Sequence, residues 1–257
     1  MSKTNELDPF IMISIPKSGT HLLKQILLGI PGMKHFPDKG MFGHFNNQPK
    51  LQLSRTENLE KNEFVNGHLF CSDEWDAFFT KLNMKKIFVM RDPRDVVVSY
   101  AYFIPTLEIH PLYETFTQKG FTHRDRMKFL IEGGQPITPQ KPYQPNIEEW
   151  YTSFSKWKDR PNVFTIRFED LISSERNRIL VLHHLVKFLW KDDSVPKSRS
   201  WMVGNMLKNI DPSTSPTFRK GTIGGWQGEF DSDLKSLFKK ESGTLLTSLG
   251  YEKTPDW

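Results

Sequence analysis

At 257 residues and 30.1 kDa, the chain has the size of one large α/β domain, and 37% hydrophobic with 13% aromatic residues supplies a core and argues against global disorder. The net charge of +5 (pI about 9.1) is mild and spread along the chain. It suits a small anionic ligand, and with no RNA- or DNA-binding signature no nucleic-acid partner is expected.

In chain order, the first ten residues lack the apolar region of a secretory signal, and no run reaches the ~20 apolar residues of a membrane span. A soluble, cytoplasmic protein without membrane contact is the expectation. The single cysteine, Cys71, leaves no intrachain disulfide framework and no cysteine-rich zinc site, and is expected to pack as a small hydrophobe. Phe10 to Ile15 is a short apolar run of the kind found in a strand buried on both faces. Pro16-Lys17-Ser18-Gly19-Thr20 breaks it, and Leu22, Leu23, Ile26, Leu27 and Ile30 then fall at helical spacing. In such a strand, loop and helix unit the first helical N–H groups lack intrahelical partners and can hold an anion. Gly19 permits close approach, Ser18 and Thr20 bring hydroxyls, and Lys17 brings charge. The common nucleotide loop, G-x-x-x-x-G-K-[ST], places its lysine after the glycines, whereas Lys17 precedes Gly19. The plain alternative is an ordinary glycine-containing turn between strand and helix.

Residues 31–60 carry Gly, Pro, Asn and aromatics without a period and read as a long loop or lid. Its His35 and His44 read as surface or hydrogen-bonded histidines rather than ligands. Glu63 to Asn66 reads as a strand entering Gly67-His68-Leu69, and Glu74 to Leu82 as a helix. Lys86 to Met90 is another buried strand, ending in Arg91-Asp92-Pro93-Arg94-Asp95 before a helix through Val96, Val97, Tyr100 and Phe103. Strand, turn and helix repeating in this order predict a parallel sheet flanked by helices. Residues 104–125 are broken by Pro105, Pro111 and Gly120, Arg126 to Glu132 is a short helix, and 133–146 is irregular, with four prolines and two glycines. Trp150, Phe154 and Trp157 resume a helix, Asn162 to Phe168 is a strand, and Ile179 to Trp190 is a strongly apolar helix. Trp201 to Leu207 reads as a short helix and 211–230 as a loop. A last helix, capped by Ser232 or Asp233, runs to Gly250. With no repeat and no linker, residues 1–257 are expected to form a single domain.

Two further motifs extend the anion reading. In 91–103 a guanidinium leaving a strand end, Arg91, can fork onto a phosphate, and Ser99 on the following helix adds a neutral donor. The plain reading there is a charge pair of Arg91 or Arg94 with Asp95 at a helix start. In 219–230, Arg219, Lys220 and the Gly221 N–H make a compact cationic turn suited to a dianion. The strand–PKSGT–helix unit resembles the 5′-phosphosulfate loop of the cytosolic-type sulfotransferases, which use 3′-phosphoadenosine-5′-phosphosulfate (PAPS). Arg91, Asp92, Pro93, Asp95 and Ser99 match in order the family's 3′-phosphate motif R-[ND]-P-x-D-x-x-x-S. Arg219, Lys220, Gly221, Gly224, Trp226 and Phe230 match its R-K-G-x-x-G-D-W-K-x-x-F segment, with Gly225 for the usual acid and Gln227 for the usual lysine. The resemblance spans Pro16 to Trp226.

The resemblance implies a single α/β domain with a P-loop-like phosphosulfate-binding loop after the first strand, and sulfuryl transfer from PAPS, leaving PAP, without a metal. Lys17 would neutralise charge on the bridging oxygen, and Ser18, Gly19, Thr20 and His21 would line the 5′ end. Arg91, Ser99, Arg219, Lys220 and Gly221 would hold the 3′-phosphate, and His68, in the place of the family's catalytic histidine, would take the acceptor proton. His21 and Leu22 replace the family's second threonine and its adenine-stacking tryptophan, Asn66 a frequent lysine, and Phe168 a frequent tyrosine. Adenine recognition then falls to Phe168 or Trp201. The acceptor, a small molecule with a hydroxyl or amine, would meet segments 31–60, 103–115 and 132–148. The compact length and the GHLF form resemble bacterial small-molecule sulfotransferases, including those of natural-product pathways. The family's dimer segment is not readable, which leaves the oligomeric state open. A P-loop kinase using ATP and a non-catalytic nucleotide-binding module are the alternatives.

Overall fold

Phe10 to Ser14 form β1, whose five residues are all buried. In the computed structural model the described residues are 6–36, 40–42, 56, 58–190, 195, 197–215 and 221–257. The chain divides into two compact units, Met1–Met90 with Lys156–Gly221, and Arg91–Ser155 with Thr222–Trp257.

The first unit holds the sheet. β2 (Lys34–His35), β3 (Met41–Phe42), β4 (Glu63–His68), β5 (Lys85–Met90) and β6 (Val163–Arg167) join β1 in the order β2-β4-β1-β5-β6, with β3 also on β4. Every pairing is parallel. β1 is central because both its faces are apolar. Phe10 stacks on Phe64 at 5.2 Å, and Leu23, Ile26 and Leu27 of the helix Thr20–Leu28 pack with Leu182, Leu185 and Leu189 of the helix Glu175–Trp190. The helix Arg199–Lys208 adds Met202, Val203 and Met206 to this core. The helix Asp73–Lys81 is capped by Ser72, which accepts from the Trp75 N–H at 3.2 Å, and buries Trp75 and Phe79. Trp157 packs near Phe79 and donates its indole N–H to the Leu69 carbonyl at 2.9 Å. Lys86 is fully buried on β5 and paired at 2.8 Å with Asp76, as a buried ammonium requires.

Residues 31–60, expected to be a loop, contribute β2 and β3. Two-residue strands are too short for a hydrophobic period to reveal, and they form because β4 offers them an edge. His44 lies outside the described residues.

The second unit is helical, built from Pro93–Phe103, Tyr113–Thr117, His123–Glu132, Ile147–Ser155, Ser232–Ser242 and Leu245–Ser248. Asp92 caps the first of these by accepting from the Arg94 N–H at 2.9 Å, with Pro93 in the first turn, where its missing N–H costs nothing. Thr122 and Asp125 form a capping box on His123–Glu132. Tyr100 stacks near Trp150 at 5.5 Å, and Trp150 meets Phe154 edge-on. The last helix departs from expectation twice. Its cap is Asp231, accepting from Leu234 at 2.8 Å, rather than Ser232 or Asp233. It also breaks at Gly243, where φ is 49° and a Cβ would lie 3.1 Å from Glu148 Oε1, before resuming at Leu245. Segment 211–230 contains two 3-10 turns, Pro212–Thr214 and Gly225–Gly228. Among the described residues no helix is long and apolar enough to cross a membrane.

Gly29 ends the helix Thr20–Leu28 against the helix Arg199–Lys208, where a Cβ would lie 2.6 Å from Met206 Cα and 2.7 Å from the Asn205 carbonyl. Both are backbone atoms and cannot rotate away. Gly29→Ala is therefore expected to lower unfolding free energy by about 1–3 kcal/mol in a denaturant titration.

Candidate active site

In an open parallel sheet, ligands gather outside the carboxyl ends of the strands where the winding reverses. β1 is that place, with β4 on one side and β5 on the other. After Ser14 the chain turns through Ile15-Pro16-Lys17-Ser18-Gly19. Lys17 has φ 68° and Gly19 φ 95°. A lysine in the left-handed region is uncommon and is tolerated where surroundings impose it. The Ser18 N–H donates to the Ile15 carbonyl at 3.2 Å, closing the turn. That N–H is therefore occupied, and the donors left at the helix start are those after it. Gly19 caps Thr20–Leu28 without a side-chain hydrogen bond and no acid stands in the first turn. The N-terminus thus keeps its positive dipole end uncompensated.

Ser18 is fully buried and its Oγ has no hydrogen-bond partner. A buried hydroxyl left unsatisfied costs on the order of 1–3 kcal/mol, and a ligand atom at this loop would offset that cost. Gly19 leaves no room for a side chain, since a Cβ there would meet Phe168 Cδ2 at 2.5 Å. Phe168, directly after β6, thereby floors the loop.

His68 ends β4, beside β1. Its Nδ1 lies 2.8 Å from the Ser14 carbonyl oxygen. A carbonyl only accepts, so Nδ1 carries the proton and the neutral ring presents a lone pair at Nε2. Ser14 Oγ lies 3.2 Å from the same Nδ1 and 2.8 Å from Thr20 Oγ1, tying the histidine to the loop. Burial pushes the His68 imidazole down to about 4; the Ser14 hydrogen bond opposes this, and Lys17 and His21 add to it. His21 is also held below its ordinary value, first by burial and then by Lys24, Lys17 and His35. Lys17 and Lys24 thus bring positive charge to the loop, beside the imidazoles of His21 and His35. His35 Nε2 and Asn66 Oδ1 are hydrogen-bonded at 2.6 Å, in line with the non-ligand reading of that histidine. Beside the helix, a cavity of about 360 Å³ is bounded by His21, Lys24 and Gln25 and by Asn209, Asp211 and Thr214.

The first unit therefore brings together Lys17, Ser18, Gly19, Thr20, His21, His68 and Phe168. Trp201 is on the helix Arg199–Lys208, 40% exposed, with the Lys197 ammonium 4.4 Å over its ring. Gly221 is exposed. Arg219 and Lys220 lie outside the described residues.

The second unit carries Arg91 and Ser99. Ser99 is half-buried on Pro93–Phe103. Arg91 Nη2 donates to the Thr222 carbonyl at 2.9 Å and lies 3.6 Å from Asp95 Oδ2. Tyr151 Oη donates to the Arg91 carbonyl. Asp95 does more than the charge pair read from sequence. Its carboxylate accepts from the Gly224 N–H and the Trp226 N–H, both at 2.9 Å. Burial raises its pKa, while Arg91 and those N–H groups pull it back. The only signal for this was Asp95 lying in one motif and Gly224 and Trp226 in another. Ser14, a small polar residue closing an apolar strand, gave no signal. Among the described residues no group of three or more His, Cys, Asp or Glu side chains could hold a metal ion.

A parallel sheet with a phosphate-type loop and a neutral histidine at neighbouring strand ends defines a group-transfer enzyme of α/β class. Residues 7–250 match the family model described as the sulfotransferase domain, and the chain belongs to that family. It is similar to sulfotransferase 1E1 of Rattus norvegicus, 26% identical over 91% of this chain and 81% of that protein. It is also similar to sulfotransferase 1 family member D1 of Mus musculus, 29% identical over 91% and 82%. Among solved structures it resembles mouse sulfotransferase SULT7A1 complexed with PAP, with a TM-score of 0.63 and 16% identity over 94% of this chain and 84% of that one. Retinol dehydratase in a complex with retinol and PAP gives 0.61 and 16% over 93% and 81%.

Folded His68 titrates at about 4 against an ordinary 6.5, so the unfolded chain binds more protons between those values and stability rises with pH through that window. On acidification from pH 7 to pH 4 the wild type is expected to lose roughly 3 kcal/mol more unfolding free energy than His68→Asn, whose amide can stand in for Nδ1–H without titrating. Denaturant titrations at both pH values measure the difference.

Proposed function

We propose that the chain transfers the sulfuryl group of PAPS to a hydroxyl or amine of a small-molecule acceptor, releasing PAP, in the cytoplasm. The buried, partnerless Ser18 hydroxyl in a loop that ends at an uncapped helix, beside a neutral histidine protonated at Nδ1, carries this reading. The fit of the loop to a phosphosulfate rests on that hydroxyl and on the close approach that Gly19 permits. The solved relatives complexed with PAP support the same donor.

The donor supplies an activated sulfuryl group whose S–O bond to phosphate breaks as the acceptor's bond to sulfur forms. The residues of this chain do the rest by alignment and charge. The N–H groups at the start of Thr20–Leu28 and the Ser18 hydroxyl bind the 5′ end. Lys17 neutralises charge that grows on the departing oxygen. His68 Nε2 takes the acceptor proton, and the Ser14 carbonyl supports the resulting imidazolium through Nδ1–H. His21 offers a ring nitrogen, since its lowered pKa keeps it a hydrogen-bonding rather than a charged neighbour near neutral pH. Arg91, Ser99, Arg219, Lys220 and Gly221 hold the 3′-phosphate. The edge of adenine falls to Phe168, because the Lys197 ammonium covers the Trp201 face, and the cavity beside His21 and Gln25 offers polar partners to the nucleoside.

Segments 103–115 and 132–148 support the acceptor reading, because they are stitched together. The Ile137 N–H donates to Thr115 Oγ1 at 3.0 Å, and Thr138 Oγ1 donates to Glu114 Oε2. They expose Ile109, Ile137 and Tyr143, which suits an acceptor with an apolar body. The two compact units are read as one sulfotransferase domain, since one family model runs through both.

With labelled PAPS and a panel of hydroxylated and amino metabolites, the wild type is expected to transfer label. Lys17→Ala and His68→Ala should each lose about 10²–10⁴-fold in turnover. Calorimetric titration should show adenosine 3′,5′-bisphosphate binding more tightly than ADP with Mg²⁺. Tighter binding of the latter would make the chain a kinase, and binding without transfer a nucleotide-binding module.

A further inference from the structure

Arg94 occupies the unassigned position of R-D-P-x-D and is only 3% exposed. A buried guanidinium is costly unless its donors are met and its faces covered. Nε and Nη2 donate to the two oxygens of Asp92 at 3.0 and 2.7 Å, and Nη1 donates to Glu252 Oε1 at 2.6 Å. The guanidinium carbon lies 4.0 Å from the Trp226 ring centre and 4.5 Å from that of Trp257. The two indoles are near perpendicular, 5.3 Å apart. An arginine held in plane by two carboxylates and covered by two indoles has one geometry available to it. Glu252 and Trp257 lie beyond residue 250, where the match to the family model ends.

Trp226 connects this clasp to Arg91. Its N–H, with that of Gly224, is held by Asp95, and the Thr222 carbonyl four residues earlier orients Arg91 Nη2. Thr222 to Trp226 is therefore a short strap, anchored at Asp95 and under the Arg94 cation, whose free carbonyl aims the arginine read above as a 3′-phosphate holder. Loosening the anchor lets the carbonyl drift. Asp95 Oδ2, 3.6 Å from Nη2, can then draw Arg91 closer, and that pairing turns it from the phosphate.

We propose that the clasp of Arg94 with Trp226, Trp257 and Glu252 is a positioning device that sets affinity for the donor's 3′-phosphate through the Thr222–Trp226 strap. This rests on the reading of Arg91 as a 3′-phosphate ligand, and the experiment separates the two. Binding of adenosine 3′,5′-bisphosphate and of adenosine 5′-monophosphate to the full chain is measured for the wild type, Arg91→Ala, Trp257→Ala, Trp257→Phe and Glu252→Gln. The wild type should prefer the bisphosphate, and Arg91→Ala should abolish that preference. Trp257→Ala should cut it tenfold or more while changing affinity for the monophosphate less than twofold, and Trp257→Phe should restore most of it. If Trp257→Ala fails to fold, Glu252→Gln, which leaves both indoles in place, should still lower the preference three- to fivefold. An unchanged preference in Trp257→Ala and Glu252→Gln, or equal loss of both ligands in them, with Arg91→Ala impaired, overturns the positioning role. An unchanged preference in Arg91→Ala overturns the reading of Arg91 itself.

Discussion

One hydrogen bond, from the Nδ1–H of His68 to the Ser14 carbonyl, organises the candidate site. It exists because β1 and β4 are parallel neighbours in a register that pairs Ile13 with Gly67 and brings both carboxyl ends to one level. The backbone around it allows no shift. A Cβ at Gly67 would lie 2.8 Å from the Met41 carbonyl of β3, so the residue before the histidine is glycine because another strand passes close by. The same Ser14 reaches Thr20 through its hydroxyl. Strand pairing, the phosphate-type loop and the His68 imidazole are thus one connected object, and a slip of one residue in β1 would dissolve all three.

The electrostatics follow from that placement. Burial keeps His68 neutral near physiological pH, and Lys17 and His21 push the same way. Positive charge that suits an anion therefore also keeps the neighbouring imidazole unprotonated. The left-handed turn at Lys17 and the side-chain-free cap at Gly19 leave the helix N-terminus open without compensating it internally. The cost of an unsatisfied Ser18 hydroxyl is the counterpart of a site made for something other than protein.

Much of this was legible in the sequence where residue type alone decides the matter. The apolar run Phe10 to Ile15 and its break at Pro16 gave the central strand and its loop, and motif order singled out His68 among eight histidines. What escaped was what depends on a distant neighbour. β2 and β3 are strands only because β4 offers an edge, and Asp231 caps the last long helix where two adjacent residues were equally plausible. Gly243 interrupts that helix by turning into the left-handed region, with φ 49°. Asp95 looked like an intrahelical charge partner, because nothing in its own stretch announces two N–H groups more than a hundred residues away. A sequence states which groups a turn contains, and packing decides which of them are left for a ligand.

The most direct measurement is the ¹⁵N spectrum of histidine-labelled protein, with the His68 signals assigned by comparison with His68→Gln, recorded from pH 8 down to pH 5. The account predicts a neutral ring throughout, with proton-bearing Nδ1 and bare Nε2. An Nε2–H tautomer, or an imidazolium already present at pH 7, would contradict it.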